Sequence, residues 1–223
     1  MTTSKSPVAK PLHFGLAFTL LAVASFARSE PGLPSATVIT PIFGELFAHS
    51  IPSGFKPQRE QTNGDHYLRS MLLVSDVDID WKQRILVSGT KKAGQQPDLT
   101  QKSFAMNIAR NFQQSCPTTF SGGPIAEGKI GTGHGVYIML VSCGLHTLTP
   151  TRAPTSETTL VAVVQGDLNF YSVQWSERGA PVGQALEPKV EVWHSRLKAI
   201  TPLLVCERKP EEPAPYASCT DRK

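Results

Sequence analysis

No two cysteines of this chain stand as C-x-x-C, so zinc-ribbon and thioredoxin-type chemistry lack their spacing. There is no G-x-S-x-G elbow and no H-x-x-x-H or H-x-H pair, which removes the short signatures of an α/β-hydrolase nucleophile and of a local zinc site. Only one long apolar run occurs, at the front, and nothing after it is long enough to span a bilayer. No internal repeat is visible. The 223 residues are 40% hydrophobic, 18% charged and 8% aromatic, values that exclude collagen-like, coiled-coil and wholly disordered classes.

What is present begins with a leader. Met1 to Lys10 is polar and carries Lys5 and Lys10 without an acid. The apolar stretch PLHFGLAFTLLAVASFA then runs to Ala27 and is followed at once by Arg28, Ser29 and Glu30. A positive start, an apolar middle and a small-x-small ending predict a cleaved secretory signal over residues 1–27, with Ser25-Phe26-Ala27 or Ala22-Val23-Ala24 at the cleavage site. Lys5 and Lys10 are the only charged residues in that segment. Without them the 22 basic residues fall to 20 against 18 acidic ones, a net charge of +2. A chain so balanced has no electrostatic reason to seek nucleic acid, and after cleavage no membrane span is expected.

The four cysteines, Cys116, Cys143, Cys206 and Cys219, all follow the leader. In an oxidising compartment an even number favours disulfides, and four cysteines allow three connectivities. The favoured pairing is Cys116–Cys143 with Cys206–Cys219. The first would tie a helix end to a following strand. The second would close a short loop over the tail that holds Pro210, Pro213 and Pro215.

Residues 28–41 are proline-punctuated and read as an extended lead-in, with secondary structure starting near Ile42. Asn63-Gly64 marks a hairpin between strands at 55–61 and 67–74. A further strand is expected at 83–88. Thr100 or Asp98 can cap a helix reaching about Gln114, with Phe104, Ala105, Ile108, Ala109 and Phe112 on one face. Cys116-Pro117 ends it. Strands follow at 125–130 and 135–143 around a glycine-rich turn, Gly131 to Gly135. Another pair, 159–165 and 168–175, flanks Gly166-Asp167. Residues 147–156 and 176–186 read as loops. Pro188 opens a second helix whose apolar face is Val190, Trp193, Leu197, Ile200 and Leu204. The order strands, helix, four strands, helix predicts an α+β fold: an antiparallel sheet of about five to seven strands with two helices packed on it. One domain over 42–206 is expected, with a disulfide-tethered, proline-rich tail at 207–223.

Trp81, Cys116-Pro117, the hairpin V-V-Q-G-D-L-N-F-Y-S-V-Q (Val163 to Gln174), a tryptophan-bearing last helix, Val205-Cys206-Glu207-Arg208 and the final Cys219 are similar to features of an uncharacterised group of small exported proteobacterial proteins. The element order also resembles the PsbP-like α/β/α sandwich. Neither resemblance implies a catalytic residue or a cofactor.

Candidate sites are few. Asp76-Val77-Asp78-Ile79-Asp80 starts as a calcium loop, but Trp81 and Val87 stand where the loop needs glycine and glutamate. The aspartates therefore read as an exposed strand or turn. The cluster Lys82, Arg84, Lys91 and Lys92 reads as a solvated surface. His134, set among glycines, is expected to be exposed and is the first candidate binding residue. Trp175, at a strand end beside Ser176-Glu177-Arg178-Gly179, is expected to be partly exposed, and Arg178 is taken with it. No metal or cofactor is indicated. The expected function is a non-enzymatic periplasmic or secreted protein that binds an envelope component. The alternatives are a small-molecule binder with a pocket between sheet and helices, and a hydrolase that pairs His134 with a cysteine or an acid.

Overall fold

A computed structural model describes residues 35–146 and 153–220. The expected leader at 1–27 lies outside the described residues. The described residues all fall in one compact unit. The elements in chain order are β1 (Ser35–Ile42), β2 (Glu45–Pro52), β3 (Phe55–Asn63), β4 (His66–Leu73), β5 (Gln83–Thr90), α1 (Gln101–Ser115), β6 (Phe120–Lys129), β7 (Gly135–His146), β8 (Thr155–Gln165), β9 (Phe170–Gly179), α2 (Val190–Ile200), β10 (Leu204–Glu207) and α3 (Ala217–Thr220).

The strands form two antiparallel sheets. Seven strands pair in the order β3-β4-β5-β9-β8-β7-β6, and three pair in the order β1-β2-β10. Side chains alternate across a strand, so each face of the large sheet collects every second residue. One face carries Ile138, Leu140, Leu160, Ala162, Tyr171, Val173 and Trp175 and packs against Phe47 and Val205 of the small sheet and Trp193 and Ile200 of α2. The other carries Tyr137, Met139, Val141, Val161, Val163 and Phe170 and packs against Ala105 and Ala109 of α1. Strands β7 and β8 are thus buried on both sides, which is why they read as unbroken apolar runs.

Helix α1 starts where expected. Thr100 Oγ1 accepts from Ser103 N at 3.0 Å, and Ser103 Oγ accepts from Thr100 N at 2.9 Å, a reciprocal cap. The expected stripe faces the sheet, with Phe104, Ile108 and Phe112 flanking the two alanines.

Several boundaries differ from the sequence reading. The described part of the proline-punctuated lead-in is strand rather than loose chain, because it pairs with β2 from Ser35↔Pro52 to Ile42↔Glu45. β6 begins at Phe120 and passes through Gly122 and Pro124, which it tolerates as an edge strand with a bulge before Ala126. β8 and β9 extend to Thr155 and Gly179, so residues 155–156 and 176–179 are strand, not loop. Pro188 stands before the helix cap, Lys189, and not in the first turn. Leu204 does not continue the face of α2. Pro202 stops the helix at Ile200, and Leu204 enters β10 against Ala48.

Candidate functional site

The four cysteines form Cys116–Cys143 and Cys206–Cys219. Cys116 caps the C-terminal end of α1 and is tied to β7, the strand next to the β6 edge of the large sheet. No cysteine is free. A thiol nucleophile beside His134 is thereby removed.

His134 lies in the β6–β7 turn, but it is not open to solvent as expected. Its side chain is only 17% exposed, because both ring nitrogens are engaged. Thr132 Oγ1 lies 2.8 Å from Nδ1, and Asp167 Oδ1 lies 3.4 Å from Nε2. The contact joins the tip of the β6–β7 turn to the tip of the β8–β9 turn.

Trp175 is not partly exposed as expected: it is 1% exposed, among the largest fully buried side chains. The strand continues four residues beyond it, so it sits within β9, with Phe55 edge-on at 5.3 Å and the Arg196 guanidinium 5.1 Å from its ring.

Arg178 is at the opposite end of the sheet from His134, about 25 Å away along β8 at strand rise. The three candidates form no common site. Arg178 belongs instead to a charged cluster under the C-terminal end of α1. Its Nε donates to Glu157 Oε2 at 2.9 Å, and the carboxylate is 2% exposed. His146 Nδ1 stands 3.6 Å from the same oxygen, with its ring stacked 6.2 Å from Phe112. Burial lowers the His146 pKa below the ordinary histidine value. Glu157 opposes that shift, while Arg178 and Arg84 add to it. Trp81, 4% exposed, receives two guanidinium groups over its ring, Arg178 at 3.5 Å and Arg84 at 4.4 Å.

The aspartate run before Trp81 is a turn, as read, but Asp76 is buried within it. Its Oδ2 accepts from Lys82 N at 2.6 Å and Gln83 N at 3.0 Å. That cap fixes the β4–β5 connection and leaves Val77 and Ile79 pointing outward, 59% and 68% exposed.

The feature best shaped to receive a ligand was not among the sequence candidates. A cleft of about 420 Å³ opens between the edge of the large sheet and α2. Its floor and walls are Pro124, Ile125, Leu140, Leu186, Pro188 and Val190. Ser121, Ser142, Glu187 and His194 are its polar lining residues. Ser121 Oγ donates to Leu186 O at 2.6 Å and so pins the 180–189 connection against β6. Gly123 on β6, opposite Leu140, carries no side chain to fill the opening, and a Cβ there would meet nothing within 4 Å. Nothing in the sequence links β6, β7 and α2, which lie up to 70 residues apart in the chain, so only folding brings this lining together. The one local signal is Gly122-Gly123-Pro124 on a strand, a pattern that marks an edge beside open space.

Among the described residues, no group of three or more His, Cys, Asp or Glu side chains could hold a metal ion. No described helix is long and apolar enough to cross a membrane.

No family model matches the chain, and no curated protein matches it. Solved structures with a similar arrangement include a point mutant of the protein Mog1, 11% identical, covering 74% of this chain and 85% of its own, at TM-score 0.41. The Saccharomyces cerevisiae Ran-binding protein Mog1p is 10% identical, covering 76% of this chain and 86% of its own, at TM-score 0.39. A Bacteroides thetaiotaomicron protein is 11% identical, covering 74% of this chain and 46% of its own, at TM-score 0.35. At these values the likenesses assign neither a family nor a function.

Proposed function

We propose that the chain is an exported, non-catalytic binding protein that holds a small, largely apolar molecule in the cleft between β6, β7 and α2. The cleft carries this reading. Its volume falls in the range of small-molecule sites, its exposed lining is mostly apolar, and its polar groups are few. Export is supported by the leader pattern at 1–27 and by two disulfides, which persist in oxidising compartments. The resemblance to exported proteobacterial proteins supports the periplasm as the compartment. A protein partner in the envelope is the second reading, favoured by the capped β4–β5 connection that presents Val77 and Ile79 to solvent.

The test uses anilinonaphthalene sulfonate as a probe of the cleft. The protein binds it saturably, with enhanced fluorescence and a raised melting temperature. A ligand at 100 times its dissociation constant adds about 2.7 kcal/mol. Gly123→Trp, which fills the opening from an uncrowded Cβ position, abolishes both effects and leaves the melting temperature of the free protein unchanged. Equal probe binding by Gly123→Trp, or none by the wild type, rejects the cleft as the site.

A further inference from the structure

A second recess lies on the other side of the large sheet, on residues that share nothing with the cleft. Helix α1 packs over β6, β7 and β8 and leaves β3, β4 and β5 uncovered on that face. There Gln58, Arg59, Leu68, Ser70, Arg84 and Leu86 line a hollow of about 420 Å³ under Asp78 of the β4–β5 connection. Register explains the grouping. Arg59 stands opposite Ser70, Ser70 opposite Leu86, and Leu72 opposite Arg84, so these residues alternate onto one face.

Arg84 is the unusual member. Its Nε is buried and has no hydrogen-bond partner among the described residues. It makes no ion pair within 4.0 Å among them, since Glu157 is already taken by Arg178 at 2.9 Å. That N–H is taken out of water without gaining a partner, which is costly. The Trp81 ring, 4.4 Å from the guanidinium carbon, does not resolve this, because an aromatic face attracts the charge without accepting the in-plane hydrogen bonds a guanidinium offers. Arg59 is exposed, carries no ion pair among the described residues and borders the same hollow. The Ser70 hydroxyl, also without a hydrogen bond among them, adds a donor. Two guanidinium groups and a hydroxyl converging on one recess match the planar, multi-acceptor shape of a carboxylate or phosphate group. The apolar floor of Leu68 and Leu86 accommodates whatever carries that group. Asp78 is the single carboxylate at the rim, and it competes with an incoming anion.

We infer that Arg59, Arg84 and Ser70 form an oxyanion-binding site for the carboxylate or phosphate group of a small ligand on the open face of β3–β5. Calorimetric titration with sodium phosphate and, separately, sodium acetate, at matched ionic strength, tests it and distinguishes the two oxyanions. The protein binds at least one of them saturably. Arg84→Met, which keeps an unbranched stem over Trp81 and removes the donors, weakens binding about tenfold or more. Arg59→Gln, at an exposed position where folding is not at stake, weakens it by a smaller factor. Asp78→Asn tightens it. Absence of saturable binding of both anions, wild-type affinity in Arg59→Gln, or unchanged or weaker binding in Asp78→Asn overturns the inference.

Discussion

Glu45 joins the two sheets through a single side chain. It is buried at the start of β2, yet no basic residue among the described ones pairs with it. Oε1 accepts from Asp167 N and Leu168 N at 2.8 and 3.1 Å, and Oε2 accepts from Asn169 N, Asn169 Nδ2 and Tyr171 Oη at 3.1, 2.7 and 2.9 Å. One carboxylate thus closes the β8–β9 turn from the neighbouring sheet, which meets the hydrogen-bonding need of a buried charge. His49, two pleats further along β2, is buried without such compensation. Its Nδ1 is 3.2 Å from Ser50 O, and its Nε2 has no partner among the described residues. Burial lowers its pKa from 6.5 to about 4, with nearby Arg69 pushing in the same direction. The unfolded chain therefore takes up the proton first as pH falls. The stability this group confers is complete above pH 6.5 and is lost between pH 6.5 and 4. Urea unfolding should show His49→Leu losing about 2 to 3 kcal/mol less than the wild type between pH 7.5 and 4.5. Equal losses in the two proteins would show that His49 does not stay neutral in the fold.

Elements with local signals were legible in the sequence. The β3–β4 and β8–β9 hairpins announced themselves by Asn63-Gly64 and Gly166-Asp167, and α1 by its cap and stripe. The small sheet did not. In β2 the buried residues include Glu45, His49 and Ser50, so polarity no longer marks the outward face and the period-two signal vanishes. β10 has four residues and follows α2 at a spacing that mimics one more helical turn. The tail that follows is held by the disulfide to Cys219, which packs with Leu46, Ala48 and Cys206 on the outer face of the small sheet. Closing a loop over a separation of 13 residues contributes about 3 kcal/mol in the chain-entropy account. Replacing Cys206 and Cys219 by alanine is expected to lower stability by about that amount and to open residues 208–216 to limited proteolysis. Wild-type resistance to protease in the double variant would mean that packing alone holds the tail.

At the scale of the whole molecule, the large sheet is covered unevenly. Its β7–β8 part is enclosed between α1 on one side and the small sheet with α2 on the other, while β3–β5 and the β6 edge are left with open surface. Both recesses lie where that cover ends. This explains why the candidate sites were hard to read from the sequence. Trp175 looked like a strand end because Glu177 and Arg178 are charged, but their charges are neutralised within the fold by Arg196 at 2.7 Å and Glu157 at 2.9 Å, and the strand runs on. Arg84 looked like one member of a solvated basic run, and only strand register shows which of its neighbours share its face. The most direct measurement is a nitrogen-15 NMR titration of the protein with anilinonaphthalene sulfonate. The cleft reading predicts saturable shifts of the backbone amides of Gly122, Gly123, Ile125 and His194, with those of β3–β5 unmoved. Shifts confined to other surfaces, or spread without saturation over the whole molecule, would contradict it.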